Sequence, residues 1–130
     1  MGGISDFLKN AYLYSTFWHG GALYIGLYTD PPTDAGGGTE VSAADYQRCK
    51  IFTGETWWGL SGIGIITNKT TALFTASQSN WGHVTHWGIF NSNHNGNLHW
   101  WGSLKSSFEV VTGAVVKIDP GEISLRIISG

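Results

Sequence analysis

The sequence predicts a mainly β protein: an antiparallel β-sandwich, or a partly open barrel, with one N-terminal α-helix. Three observations carry that expectation. Apolar residues recur at helical spacing only near the N-terminus, and beyond residue 22 short runs alternate with a period of two. Gly, Pro, Asn and Asp punctuate those runs roughly every 8 to 12 residues, as in sandwiches and barrels. No internal repeat, linker or shift in composition divides the chain. Residues 1–130 therefore read as a single domain, with the helix in 1–20 and the sandwich in 22–130.

The helix rests on Ile4, Phe7, Leu8, Ala11, Tyr12 and Phe17, with Ser5 or Asp6 able to cap its start and Gly20-Gly21 a natural stop. In "ALYIGLY", residues 22–28, Leu23, Ile25 and Leu27 alternate with Tyr24, Gly26 and Tyr28, which predicts a strand. "TDPPTDAGGGTE" follows as a long loop, stiffened by its proline pair and loosened by its glycines. "YQRCKIF" and "TTALFTA" read as short strands, and "GETWWGLSGIGIITN" as a strand broken by glycines or an extended arm. "HVTHWGIF" and "NLHWWGSL" are joined by "NSNHNG", whose Asn95-Gly96 is a favoured type I′ dipeptide, so a hairpin is predicted there. "FEVV" and "AVVKI" flank a turn at Thr112-Gly113. Asp119-Pro120-Gly121 makes another turn before "EISLRII", which alternates.

Composition narrows the function. Seven Lys and Arg stand against nine acidic residues, which gives no basic field for phosphates or nucleic acid. Charged residues make up 12% of the chain, about half the usual share for a soluble protein, while aromatics reach 14%. Few charges and many rings predict an apolar surface covered by copies of the chain or by a partner. No run approaches about 18 apolar residues, so no membrane span is expected. "MGGISDFLKN" has no basic region followed by an apolar core, so no signal peptide is expected. The "NKT" sequon at Asn68 then carries little weight.

The residues that carry chemistry do not assemble into a catalytic pattern. Cys49 is the only cysteine, which excludes an internal disulfide and a CxxC motif, and its expected role is a small buried or half-buried side chain. Residues 80–104 hold His83, His86, His94 and His99. The nearest two are three apart, and strand geometry turns such a pair to opposite faces. No metal site and no cofactor is therefore expected. The carboxylates are scattered, with no pair set for glycoside hydrolysis, and neither a nucleophile elbow nor a phosphate loop is present. An enzyme is not expected.

Tryptophans dominate instead. Trp57-Trp58 and Trp100-Trp101 are adjacent pairs, so in a strand one ring of each faces in and its neighbour faces out. Which ring faces out depends on register. Outward rings suit a protein interface or a sugar. Phe7, Tyr12, Trp57, Trp58, Trp100 and Trp101 are the candidate subunit or capsid contacts.

Two stretches carry a resemblance. "LYIGLYTDPPTDAGGGTEVSAADYQRCKI" resembles the opening of a family of small tailed-phage virion proteins, where an aliphatic strand leads to "DPTD", glycines, "TEV" and "YAR". "NWGHVTHWGIFNSNHNGNLHWWGSL" is similar to that family's second hallmark, "WGTVTHFGIFD…GGNLLFWGAL". The helix ending in Gly-Gly and the "DPGEISLRI" ending match in character. The middle, "FTGETWWGLSGIGIITNK", is more aromatic than the family pattern, and His86, Trp87 and His99 make the hairpin richer in heterocycles.

The resemblance implies a non-enzymatic virion component. Members are described variously as head decoration (cement) or tail-fibre proteins. The leading expectation is a decoration protein on the outer capsid, acting as a homo-oligomer, most simply a trimer, bound to the major capsid protein. The alternative is a tail-fibre or baseplate component that meets a host glycan through exposed tryptophans.

Overall fold

A computed structural model of the protein describes residues 2–18, 21–75 and 77–127. Helix α1 spans Asp6–Phe17. Of the two predicted caps Ser5 is the one used: its hydroxyl accepts from the Leu8 N–H at 3.2 Å, and Asp6 in the first turn suits the helix dipole. The helix ends as the Trp18 N–H reaches the Tyr14 carbonyl at 2.9 Å. Gly21 adopts a φ of 83°, and Gly20, the other half of the predicted stop, lies outside the described residues. Of the apolar series that marks this helix in the sequence, only its last member, Phe17, is fully buried. Leu13 and Phe17 enter the core, while Phe7, Leu8 and Tyr12 stay exposed.

Among the described residues ten strands follow: β1 Leu23–Asp30, β2 Thr39–Glu40, β3 Cys49–Ile51, β4 Trp58–Gly62, β5 Ile65–Asn68, β6 Ala72–Leu73, β7 Gly82–Phe90, β8 Leu98–Val110, β9 Lys117–Ile118 and β10 Ser124–Arg126. All their pairings are antiparallel. One sheet runs β2-β1-β7-β8 with β3 also on β1; a second runs β10-β5-β4; β6 and β9 form a ribbon. The sheets bury one common apolar cluster and do not close into a barrel.

The main sheet shows why β1 and the hairpin were legible. Ile25 sits opposite Ile89, and Leu27 opposite Trp87; Trp87 in turn sits opposite Gly102, and Ile89 opposite Trp100. These residues form the inner face, and Ile25, Leu27, Trp87 and Ile89 are all buried. Gly102 is a place where a ring needs room, since a Cβ there would lie 2.6 Å from the Trp87 ring. The outer face is covered too. Gly26 and Gly88 are cross-strand neighbours, and the Tyr28 and Phe90 rings, stacked within 12° of parallel, lie over this glycine pair.

Other elements are shorter than the sequence predicts. "YQRCKIF" yields only Cys49–Ile51, because Tyr46 and Arg48 are drawn into a polar cluster described below. "TTALFTA" yields Ala72–Leu73, paired with Lys117 and Ile118. "GETWWGLSGIGIITN" resolves into the β4–β5 hairpin, turning at Ile63-Gly64 with Gly64 at φ 68°. The β7–β8 connection uses Asn95 and Gly96 at φ 56° and 73°, as type I′ geometry requires, inside a longer loop. The chain does turn at Thr112-Gly113, and β9 beyond it joins β6 rather than β8.

Candidate functional site

The stretch from Thr29 to Ile51 is built around one ion pair. Arg48 forks onto Glu40, with Nε to Oε2 at 2.9 Å and Nη2 to Oε1 at 2.8 Å. Its Nη1 donates to the carbonyls of Ser92 at 2.9 Å and Asn95 at 2.7 Å, and the guanidinium stacks 3.5 Å above the Phe90 ring centre. The Tyr46 hydroxyl donates to Glu40 at 2.6 Å and accepts from the Leu27 N–H at 2.9 Å. The result ties the "TEV" and "YQR" segments to β1 and to the tip of the β7–β8 hairpin. Burial and the neighbouring Glu40 carboxylate both push the Tyr46 hydroxyl far above its ordinary pKa. Burial alone would lower the pKa of Arg48, but the hydrogen bond and charge of Glu40 outweigh it and raise it. Tyr28 is raised by burial and then by Glu40. These groups keep their protonation states across the physiological range and act as a clamp.

Two further carboxylates hold tryptophans. Asp34, in the "DPPTD" loop, accepts from the Trp101 indole N–H at 3.0 Å across 67 positions of sequence. Asp45 accepts from the Gln78 N–H at 2.6 Å, from the Trp81 indole N–H at 3.1 Å and from the Ser79 hydroxyl. These bonds, that from the Gln78 N–H foremost, lower the Asp45 pKa to about 2. A depressed carboxylate contributes stability above its unfolded pKa near 3.8, and that stability is lost as pH falls through the folded value. Acid titration should therefore weaken the anchoring of the Gln78–Trp81 segment between about pH 4 and pH 2. An Asp45→Asn variant should show a flatter stability profile over that window, measured by urea denaturation at each pH.

Asn68, the sequon asparagine, is 6% exposed and fully engaged. Its amide donates to the Asp119 and Thr70 carbonyls at 3.0 and 3.3 Å, and its oxygen accepts from Ile123 and Gly121 at 3.0 and 3.1 Å. It pins the Asp119-Pro120-Gly121 turn to β5 and is not available to a glycan.

The residues singled out from the tryptophan pairs fall in different places. Trp58 is 1% exposed, packed on Phe17 with ring centres 4.5 Å apart, and its N–H bonds the Phe52 carbonyl at 3.2 Å. It is a core residue, and its ring offers no surface to a partner. Trp57 is half-buried beside the exposed Phe52. Trp100 is half-buried under α1, 5.9 Å from Phe17 and 6.4 Å from Tyr12, while Trp101 faces outward. The structure thus brings Tyr12 and Trp100 together on one edge of the molecule. Phe7 lies on the same helix, 83% exposed, with Leu8 between them. Sequence reasoning missed Leu8 as part of this surface, although its spacing from Tyr12 carries the signal.

The histidines have separate partners. His83 meets Ser107 at 2.9 Å and Glu109 at 3.2 Å, whereas His86 bonds the Thr85 hydroxyl at 2.7 Å and lies near Trp101. Among the described residues no group of three or more His, Cys, Asp or Glu is placed to hold a metal ion. Cys49 is half-buried, its thiol pKa raised by burial, with Sγ toward the Leu73 carbonyl at 3.4 Å. No helix among the described residues is long and apolar enough to cross a membrane.

The fold and these contacts define a small antiparallel β domain whose loops are fastened to its main hairpin. A model of the family described as Podophage GP4 fiber I protein gp80 matches residues 3–126, and the chain belongs to that family of small phage virion proteins. No curated protein matches the chain.

Proposed function

We propose that the chain is a non-enzymatic component of a podophage fibre that works by association, burying the α1 face against a second copy and neighbouring virion proteins. The observation that carries this reading is the family match, which spans nearly the whole chain and whose description is of a fibre protein. The surface supports it. Phe7, Leu8 and Tyr12 are exposed on one short helix, Trp100 lies beside Tyr12, and Lys9 pairs with Asp6 at 3.7 Å, so the two charged residues of the helix balance each other. An apolar patch of this kind is stable in water when it is covered. Repetition in a symmetric assembly, a homotrimer in this reading, then multiplies weak contacts into high avidity.

The same face could seat the chain on the capsid as a decoration protein, the leading expectation from sequence. The family's description, which is of a fibre protein, supports the fibre reading. Gold-labelled antibody against the chain, imaged on intact virions by electron microscopy, separates the two. The fibre reading predicts label at the tail or its appendages. Label spread evenly over the heads would replace it with the decoration role.

A further inference from the structure

We propose that the cleft between the 41–48 loop and the tip of the β7–β8 hairpin is a saccharide-binding site. The cleft has a volume of about 750 Å³, inside the roughly 300–1,000 Å³ range of small-ligand sites. Its wall includes the Glu40–Arg48 pair, whose groups are turned toward each other, the Tyr46 hydroxyl and the hairpin carbonyls. That wall is held together by these hydrogen bonds, and its ion pair carries no net charge.

The rest of the lining is different. Tyr24, Ser42, Gln47, Lys50, Asn93 and His94 face the cleft, and their side chains make no hydrogen bond to another group among the described residues. The Lys50 ammonium lies 5.4 Å from the Phe52 ring centre. These lining groups differ from Asp34, committed to Trp101, Asp45, committed to three donors, and Asn68, committed to four backbone groups. In the cleft, side chains with hydrogen-bonding capacity left over stand next to one another around one concave space.

The chemistry of that capacity selects the ligand class. Two primary amides, two hydroxyls and an imidazole supply donors and acceptors in mixed array, which matches the hydroxyls of a sugar ring. The Tyr24 ring adds an aromatic surface for the apolar face of such a ring. Nucleic acid or polyphosphate needs several free cations. Lys50 is the one lining cation outside the ion pair, enough for a single acidic group such as that of a uronic acid. The site goes beyond the fibre assignment and stands whichever part of the virion carries the chain.

The test uses the full chain on an array of bacterial surface oligosaccharides, both neutral and uronic acid-containing, followed by calorimetric titration of any binder. At least one array member should bind. Gln47→Ala and Asn93→Ala, both at exposed loop positions, should each weaken it about tenfold, equivalent to roughly one hydrogen bond. Their melting temperatures should match the parent protein, and Trp101→Ala should bind normally. No binding at millimolar sugar would overturn the proposal. So would binding that survives both cleft substitutions or disappears with Trp101→Ala alone.

Discussion

Arg48→Ala is expected to lower the unfolding free energy by about 3 kcal/mol, at the lower end of the range for removing one partner of a buried pair. In a chain of this size that corresponds to a fall in Tm of roughly 10 °C. The Arg48 side chain is 8% exposed and Glu40 22% exposed, so the carboxylate left behind loses two charge-assisted bonds where water replaces them poorly. The Ser92 and Asn95 carbonyls at the hairpin tip lose their donor as well, and Phe90 loses its covering cation. Arg48→Lys should recover only part of the loss, since one ammonium cannot fork onto Glu40 and reach the hairpin together. Urea denaturation of both variants measures this directly. A loss below about 1 kcal/mol would mean that the pair behaves as an exposed salt bridge.

Trp58→Ala is expected to be at least as damaging, at about 4 kcal/mol, the usual scale for emptying a large aromatic from a core. The indole fills the space between α1 and β4, touching Phe17, and its removal also orphans the Phe52 carbonyl. Trp101→Ala is the informative contrast. That ring lies on the surface and is held mainly by Asp34, so its truncation should change stability by less than about 1 kcal/mol. Thermal melts of the two variants side by side distinguish a core tryptophan from a surface one. Equal losses would contradict the packing described for Trp58.

What the sequence made legible follows the range of the interactions. The cap at Ser5, the alternation in β1 and the Asn95-Gly96 turn are local, and each was readable from neighbours a few positions apart. The alternation expected for adjacent tryptophans holds at Trp100 and Trp101, while Trp57 lies just before β4 and is half-buried. Which ring turns inward was not readable: Trp58 goes in and Trp101 goes out because of pairings to Asn68 and Gly88 that no local pattern encodes. The helix misled for a related reason. Its apolar series runs from Phe7, Leu8 and Tyr12 to Phe17, yet of these the core takes only Phe17, together with Leu13 from outside the series, and a period alone does not say which of its members has a partner.

The polar site was the least visible part. Glu40, Tyr46 and Arg48 stood in the quoted motif, but their meaning lies in contacts with a hairpin more than 40 residues away. Asp34 and Trp101 are farther apart still. β propensity predicts longer strands than form because it does not register a side chain diverted to a distant carbonyl, as at Arg48 just before β3.

Association through the α1 face is the claim on which the functional account stands, and sedimentation velocity of the full chain over a wide concentration range tests it most directly. The wild-type protein should sediment as an assembly that dissociates on dilution. A Phe7→Ser, Tyr12→Ser double variant should sediment as a monomer with little change in its Tm at low concentration, since both side chains are exposed. A wild-type chain that stays monomeric throughout, or a double variant that assembles as the parent does, would contradict the account.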